Sequence, residues 1–598
     1  MAKVLQEQDG LVNFDILIGG SKIKDVVEVC EICIQREVNR VALATIEIFD
    51  CGEIGAANEP FSNSEGNDFI PGNEIEIKLG YNSKREEVFK GIIISQRLMV
   101  KHGKSLLVIT CKDKAVKMTK GRFNAIFKDG KDSDAIKKIV GKYGLQLKMD
   151  NTSTIQPVLM QYNCSDWDFL VIRAEINNML VLTENNKLCV KKLDFSDTAS
   201  YEINTSQYVI DIDLSLDSEN IADGYQVLAW NVKDQKENEV TTRLSEELSQ
   251  GNLSAKKLSE VVNTGAINHY SATSLSEAEL KLWGTTLVNK AVLSKIQGSI
   301  TVPGNTEIRA GSMINLSGFS KRFNGKAFIS KVTHELKEGT WETKVGIGRP
   351  PKWHSSLPDV EGISASGLIP PARGQQIAKV KRIDEDPDGN TRVLVNLPTF
   401  PGTGQSEGLW ARLAFPYATK EAGFFFLPEI DDEVVVTFIN NDPRFPVITG
   451  ALYSAKNKPK EVPDARNQFK SIHSRSGINI RFDDEDKILT IETPGGNSFT
   501  LNDDEKKITV MDLSGNSVVL DDSGIIIDSA KDIRMSAKGN IDISASGGLK
   551  LKTKADIEAD GSNIQLSAKT AFTAKGNASA EISASGQTTV KGAMVMIN

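Results

Sequence analysis

An apolar doublet that recurs every eight residues dominates the C-terminal part of the chain. The doublets are Ile525/Ile527, Ile533/Met535, Ile541/Ile543, Leu549/Leu551 and then Ile557; after one seven-residue step they resume at Ile564/Leu566, Phe572/Ala574, Ala580/Ile582 and Thr588/Val590. Alternation with a period of two predicts a short strand with one buried face. The Ser, Ala, Lys, Gly and Asn residues between doublets predict kinks. The repeat therefore indicates β-structure rather than helix.

One octad is too short to close a solenoid turn by itself. It spans about 26 Å at about 3.3 Å per residue, whereas solenoid repeats usually have about 20 residues or more. Three chains that each give one strand per turn would close the structure and leave no open edge. We therefore predict a homotrimeric, intertwined triple-stranded β-helix over residues 521–598, with a single-chain solenoid and a disordered low-complexity tail as alternatives. The predicted trimer core consists of Ile525, Ile527, Ile533, Met535, Ile541, Ile543, Leu549, Leu551, Ile557, Ile564, Leu566, Phe572, Ile582 and Val590.

Composition and charge exclude several classes of protein. The net charge of -8 and the pI of about 5.5 argue against nucleic-acid binding, which needs a basic surface. Within residues 521–598, nine basic residues offset nine acidic ones. The start of the chain, MAKVLQEQDG, lacks the apolar region of a signal peptide, and no run of 18 apolar residues occurs. Synthesis in the cytoplasm is therefore expected.

The 598 residues are too many for one core and predict a mainly β protein of several domains. Residues 1–350 combine strand patterns with four helical segments, near 132–143, from Ser165, near 244–262 and near 274–293. Ser165 and Asp168 have capping-box spacing. We predict here a base made of two β-barrel-like domains with helical insertions.

The rest of the chain divides at two stretches rich in Pro, Gly, Ser or Lys. Residues 351–372 predict a linker. Residues 373–455 hold five short strand candidates (QIAKVKRI, TRVLVNL, LWARLAF, GFFFLP and DEVVVTFI) closed by VITGALY, which suits an OB-fold barrel. Residues 456–520 predict neck strands that lead into the octads.

Motifs for catalysis or metal binding are weak. Cys30-x-x-Cys33 lies in a strand pattern without a second ligand pair, which favours packing thiols. Gly404-Gln405-Ser406-Glu407-Gly408 matches a hydrolase elbow but precedes a strand instead of a helix. Asp384, Asp386 and Asp388 imitate half of a calcium loop, although position twelve is Val395, so a hairpin turn is favoured. The carboxylates at 483–486 and 503–505 indicate solvated turns. We predict no enzyme activity, no metal and no cofactor.

The barrel segment FFFLPEIDDEVVVTFINNDPRFPVITGALY, preceded by LWARLAFPYA, resembles the OB domain of VgrG proteins, the spike of the bacterial type VI secretion system. Upstream, FIPGNEIEIKLGY with VFKGIII and QYNCSDWDFLVIRAE resemble the base of that family, which is shared with phage tail hubs. The family often has a basic residue and a Gly where this chain has Pro428–Asp432, which indicates a divergent branch.

The resemblance implies a trimeric spike whose base sits on the hexameric Hcp tube among baseplate proteins. It further implies a PAAR-type tip protein, effector proteins as cargo, and ejection through membranes when the sheath contracts, without a signal peptide. We expect the tip partner to dock on Met594, Val595, Met596, Ile597 and Asn598, because this apolar end would expose unpaired strands. No His follows His473 and no Cys follows Cys189, so a metal at the tip is not expected.

Three other classes compete with this interpretation. A fused lysozyme or toxin would add about 100 residues of non-repetitive sequence, and the room between barrel and needle is too small for one. A carbohydrate-binding tailspike would carry aromatic platforms on the needle, where Phe572 is the only aromatic residue. The closest rival is the central spike of a contractile phage tail or extracellular injection particle. The sequence leaves that alternative open, and neighbouring genes would discriminate.

Overall fold

A computed structural model describes residues 3–4, 10–51, 61–101, 103–206, 209–244, 248–262, 265–399 and 408–597. The chain forms two compact units, Met1–Leu452 and Tyr453–Asn598. Among the described residues, no helix combines the length and the apolar character needed to cross a membrane.

The first unit contains a base and a small barrel. The strands of the base are β1 Lys3–Val4, β2 Val12–Ile18, β3 Ser21–Lys22, β4 Val29–Glu37, β5 Leu43–Cys51, β6 Glu74–Tyr81, β7 Lys84–Lys101, β8 Lys104–Lys112, β9 Phe123–Lys131, β10 Gln146–Met149, β11 Ile155–Cys164, β12 Met179–Glu184, β13 Lys187–Lys192, β14 Tyr201–Asn204, β15 Asp211–Leu216, β16 Gly224–Asn231, β17 Lys236–Arg243, β18 Ala266–Ser271, β19 Ile296–Pro303, β20 Met313–Ser317, β21 Gly325–Lys337 and β22 Thr340–Ile347. The helices are α1 Asp132–Gly141, α2 Asp166–Ile176, α3 Ala255–Val262 and α4 Glu277–Ser294.

The strands of the barrel region are β23 Gln376–Arg382, β24 Val393–Asn396, β25 Leu409–Leu413, β26 Ala418–Thr419, β27 Ala422–Gly423, β28 Glu433–Phe438 and β29 Pro446–Ala451. The second unit contains β30 Phe469–His473, β31 Asn479–Asp483, β32 Ile488–Glu492, β33 Ser498–Asn502, β34 Lys507–Met511, β35 Ser517–Asp521 and β36 Gly524–Asp528. The chain is thus mainly β, as the sequence predicts.

One 14-stranded sheet serves two hydrophobic cores in the base. Strand β21 belongs to both: Phe328 and Val332 pack into one core, and Leu336 packs into the other. Its 13 residues can span about 43 Å, enough to run past both cores. The division of the base into two barrel-like domains stays a prediction, and what the structure shows is that these two cores share one sheet. Within the described part of the chain, the closed barrel is formed by β23, β24, β25, β29 and β28.

Helix α2 begins where its capping signal predicts, whereas α3 begins later than its hydrophobic pattern predicts. Ser165 caps α2 by accepting a hydrogen bond from the Asp168 backbone N–H at 3.0 Å, as predicted. Helix α3 begins at Ala255, later than the predicted helix near 244–262. Gly251 explains the delay: its φ is +76°, and a Cβ there would lie 2.3 Å from the Arg322 carbonyl oxygen. A backbone in this conformation cannot continue a helix.

The observed barrel differs from the predicted one in a single strand. Strands β23, β24, β25, β29 and β28 close it in that order, so VITGALY supplies the closing strand as predicted, and GFFFLP is not one of the five barrel strands. Phe424, Phe425 and Phe426 follow the small β26–β27 hairpin and are 53–66% exposed. Three successive aromatic side chains cannot all face the core of a strand whose side chains alternate between its two faces. The GFFFLP segment instead forms an exposed aromatic arm beside the barrel.

The second unit begins with a meander of seven antiparallel strands, β30–β36. Each strand has five residues and pairs with its neighbours in the chain, so the strand order in the sheet is the order in the sequence. Turns on one side contain Gly496 and Gly515, whose φ angles of +88° and +85° favour glycine. After Asp528 no strand is assigned in the described residues 529–597.

Candidate assembly surfaces

The cross-strand register of the meander collects large apolar side chains on one face. Directly opposed residues point to the same side of a sheet, so each ladder of partners forms a row. The first row consists of Ile472, Ile480, Ile491, Phe499, Val510, Val518 and Ile527. The second row, two residues along each strand, begins with Lys470 in β30, and its six apolar members are Phe482, Leu489, Leu501, Ile508, Leu520 and Ile525. We call these two rows the apolar face.

The opposite face of the meander is mainly polar. Its central row contains Ser471, Arg481, Thr490, Thr500 and Thr509, and only its last two members, Val519 and Ile526, are apolar. A sheet with this division is expected to bury one face and expose the other to water.

The apolar face is open in the single chain. Ile472 is 47% exposed, Val510 is 46% exposed and Ile527 is 59% exposed. A groove of about 630 Å³ runs over this face, with Ile491, Phe499 and other members of the first row in its wall. An exposed apolar surface of this extent marks an interaction site.

The structure divides the predicted trimer-core residues into two groups. Ile525 and Ile527 lie in β36, where they complete the two rows of the apolar face. The others lie beyond Asp528 and are between 52% and 83% exposed: Ile533, Met535, Ile541, Ile543, Leu549, Leu551, Ile557, Ile564, Leu566, Phe572, Ile582 and Val590.

No β-ladder joins one octad to the next within the described residues 529–597. A single-chain solenoid would require such ladders, because successive turns of a solenoid pair with each other.

The predicted tip surface is also exposed. Met594, Val595, Met596 and Ile597 are 79%, 50%, 83% and 91% exposed. Asn598, the fifth predicted docking residue, lies outside the described residues.

Cys30 and Cys33 show the character of packing residues. Cys30 and Cys33 lie three positions apart in β4, and burial raises the pKa of both thiols, whereas a reactive thiol needs a lowered pKa. Within the parts of the chain that the structure describes, no cluster of three His, Cys, Asp or Glu side chains has metal-binding geometry.

The Asp386 loop is a hairpin turn between β23 and β24, as predicted. The Asp386 carboxylate accepts hydrogen bonds from the backbone N–H groups of Asp388, Asn390 and Arg392 at 2.7–3.2 Å. Hydrogen bonds from the Arg392 guanidinium hold the pKa of Asp386 well below its ordinary range. Its oxygens are thus occupied by the turn itself.

The remaining motifs also fall in turns or outside the described residues. Asp483 accepts the backbone N–H groups of Glu485 and Asp486, both at 3.1 Å, in the β31–β32 turn. Asn502 Oδ1 accepts a hydrogen bond from the Glu505 backbone N–H at 2.9 Å in the β33–β34 turn. Residues 404–407 of the Gly-Gln-Ser-Glu-Gly segment are outside the described residues, and Gly408 precedes strand β25.

Sequence reasoning missed two surfaces. The apolar face begins at Ile472, well before the first octad, and the signal for it was the same alternation in five-residue strands. The other missed surface is the aromatic arm, where the segment GFFFLP predicts a barrel strand. Phe424, Phe426 and Leu427 of the arm line a groove of about 640 Å³ beside the barrel, together with Leu413 and Ile448.

Three protein-family models match the chain. The Alg8 N-terminal domain matches residues 8–338, more than half of the chain. The type VI secretion system/phage-baseplate injector OB domain matches residues 376–453, which include the closed barrel. The phage baseplate V C-terminal trimerisation domain matches residues 488–546, which include five strands of the meander and the first octads.

Individual relatives match over shorter stretches. The type VI secretion system spike protein VgrG1a of Pseudomonas aeruginosa is 27% identical over 197 residues, 30% of this chain and 30% of the relative. VgrG3 of Vibrio cholerae is 31% identical over 105 residues, 16% of this chain and 10% of the relative. The matches thus span no more than three tenths of the length of these relatives.

A solved structure of a prophage MuSo2 43 kDa tail protein from Shewanella oneidensis covers 57% of this chain and 99% of its own, with a TM-score of 0.45 and 10% identity. The chain belongs to the family of the Alg8 N-terminal domain, and its barrel and meander carry the injector OB and trimerisation domains of VgrG-type and phage-baseplate spike proteins.

Proposed function

We propose that the chain is the structural, homotrimeric spike of a type VI secretion system, without enzymatic activity of its own. The main support for a homotrimer is the apolar face, which presents 13 large apolar side chains in two rows and continues into exposed octads. In the proposed spike, two further copies of the same chain cover this apolar face. The match to a trimerisation domain over residues 488–546 supports this choice.

Threefold association would bury the apolar faces and the octad doublets around one axis. Each Å² of apolar surface removed from water contributes about 25 cal/mol. Ordering the chain opposes this gain. The polar row of Thr490, Thr500 and Thr509 would face water. The apolar residues of the meander thus extend the proposed trimer core from Ile525 back to Ile472.

In this proposal the base stands on the Hcp tube among baseplate proteins, and the needle leads through the target membrane when the sheath contracts. Residues 592–598 dock a PAAR-type tip protein, and effectors travel on the spike or its cap. The assembly forms in the bacterial cytoplasm and is then ejected. The domain arrangement that carries these roles is a base (1–350), an OB barrel (373–455), neck strands (456–520) and a needle (521–598).

Sedimentation of the purified chain tests the central point. Wild type should sediment at three times the chain mass of 65.3 kDa. The double variant Ile541→Asp/Ile543→Asp should lose the trimer, because three pairs of carboxylates would be buried on the axis. The matched control is Asp542→Asn, which changes the residue between them and should leave the trimer intact. A folded wild-type monomer at micromolar concentration would contradict the proposal.

The absence of activity has its own test. Purified trimer should leave peptidoglycan and ester substrates intact. Hydrolysis that survives clean purification and disappears in Ser406→Ala would overturn the non-enzymatic assignment.

The descriptions of the matched OB and trimerisation families name phage baseplates as well as secretion systems. The central spike of a contractile phage tail or extracellular injection particle is therefore the second candidate. Genes for a tail fibre and capsid beside this gene would favour the phage, and genes for a membrane complex would favour the secretion system.

A further inference from the structure

The segment 349–373, here called the strap, connects the base to the barrel. The Pro, Gly and Ser content of residues 351–372 predicts a linker, and the structure holds the strap by contacts at three places along its length. We propose that the strap fixes the barrel to the base so that the two move as one body. The proposal concerns the single chain. It rests on the proposed function for one consequence only, namely that the strap transmits contraction force from the base to the barrel.

The first anchor is a buried ion pair. Glu175 on α2 is 4% exposed, and its Oε1 accepts a hydrogen bond from Lys290 Nζ on α4 at 2.6 Å. Glu175 Oε2 accepts the backbone N–H of His354 at 2.8 Å. Lys290 Nζ also donates to the Lys352 carbonyl at 2.9 Å and lies 4.5 Å from the centre of the Trp353 ring. Both partners of the ion pair therefore bind the strap as well as each other.

A buried ion pair of this kind fixes the positions of the groups that bind it. Glu175 and Lys290 are 4% and 9% exposed, so water solvates them little and both depend on the groups that complete their hydrogen bonds; Arg349 Nη2 of the strap adds a second cation 3.9 Å from Glu175 Oε1. If residues 352–354 moved away, Glu175 would lose the His354 N–H and Lys290 would lose a carbonyl. The strap conformation is thus coupled to the packing of α2 against α4.

The second anchor holds the middle of the strap. The His354 ring Nε2 lies 2.9 Å from Asp168 Oδ1 on α2. Burial alone would raise the pKa of Asp168, but the hydrogen bonds from His354 and Ser165 hold it below its ordinary value. Arg122 donates to the carbonyls of Asp359, Val360 and Glu361 at 2.9–3.0 Å. One guanidinium that binds three successive carbonyls selects a single backbone path.

The third anchor lies on the barrel side. Ala365 is 1% exposed within the turn Ser364–Gly367, and Ser366 Oγ accepts a hydrogen bond from Asn440 Nδ2 at 3.2 Å. The Ala372 N–H donates to the Asn441 carbonyl at 2.8 Å. Base, strap and barrel accordingly fall into one compact unit, Met1–Leu452.

Hydrogen–deuterium exchange on the full-length protein tests the anchors. In wild type, the amides of Arg349 and His354, which donate to the Leu293 carbonyl and to Glu175, should exchange at least 100-fold more slowly than in a free peptide. Glu175→Gln should accelerate exchange at His354 at least tenfold. Glu277→Gln, an exposed position in the first turn of α4, is the matched control and should leave it unchanged.

Limited trypsin digestion tests the mechanical claim independently of assembly. Lys352 and Arg373 are exposed cleavage sites within the strap. Wild type should resist cleavage there. Arg122→Gln, which removes the hydrogen bonds to the carbonyls of residues 359–361 together with one to the Asn163 carbonyl, should be cut at least fivefold faster. Rapid wild-type cleavage within 349–373, or free-peptide exchange of its amides, would overturn the proposal even if the protein is a trimer. Trimer loss with a protected strap would instead refute only the proposed function.

Discussion

At the scale of single residues, burial decides which titratable groups matter. His334 in β21 is 2% exposed, and its Nδ1 lies 3.0 Å from Thr343 Oγ1. Burial, and then the nearby positive charge of Arg36, lower the pKa of His334 to about 3. The imidazole is thus neutral in the folded base at all moderate pH values, whereas in the unfolded chain it titrates near its ordinary pKa of about 6.5.

This difference predicts acid sensitivity of the base. Between pH 6.5 and 3 the unfolded chain binds one more proton at His334 than the folded chain does. The free energy of unfolding should therefore fall as pH falls, by up to about 1.4 kcal/mol per pH unit from this residue, and be unaffected by it above pH 6.5. His334→Gln should flatten the pH profile of the base's thermal midpoint between pH 6.5 and 4. His473→Gln, in the second unit, is the control, and parallel profiles for wild type and His334→Gln would contradict the prediction.

At the scale of elements, alternation within five-residue strands decides which face of the meander is apolar. Leu501 and its neighbour Thr500 lie in the same strand but on opposite faces. Because each strand pairs with the next one along the chain, the short turns hold the whole sheet in one register. The same pattern explains why the apolar face extends over all seven strands.

The two faces predict opposite effects of the same substitution. Leu501→Asp should abolish or strongly weaken the trimer, because burying each unpaired carboxylate costs several kcal/mol and threefold symmetry repeats the cost. Thr500→Asp should leave sedimentation unchanged and shift the thermal midpoint by only a few degrees. Equal behaviour of the two variants in sedimentation would show that the apolar face is not the trimer interface.

At the scale of the whole molecule, the chain leaves much apolar surface for other chains to cover. The octads and residues 594–597 remain largely exposed, whereas the base and barrel have buried cores of their own. Stability of the needle is thus a property of the assembly and should depend on protein concentration.

The proposed tip site has a separate prediction. Deleting residues 593–598 should leave the trimer intact, since the doublets up to Val590 remain, and should abolish co-purification of a cone-shaped tip protein. The comparison is Lys591→Gln, which lies next to the segment and should retain the cap. A truncated spike that binds its cap with full affinity would place the docking site elsewhere.

Much of the fold could be predicted from local pattern. The β6 strand follows from the alternation of Ile75, Ile77 and Leu79, and α2 follows from Ser165 at its N-cap. The predictions failed where distant contacts decide. The delayed start of α3 depends on the approach of Arg322 to Gly251, and the aromatic arm depends on VITGA taking the fifth place in the barrel.

Strand periodicity and turn residues act over a few positions, so the β character of the chain, the barrel, the octad repeat and the alternation behind the apolar face can all be read from the sequence. The shared place of β21 in two cores and the hydrogen bonds of Glu175 and Lys290 to the strap are visible only in the folded structure. These features depend on residues far apart in the chain, whose register and burial no local pattern specifies.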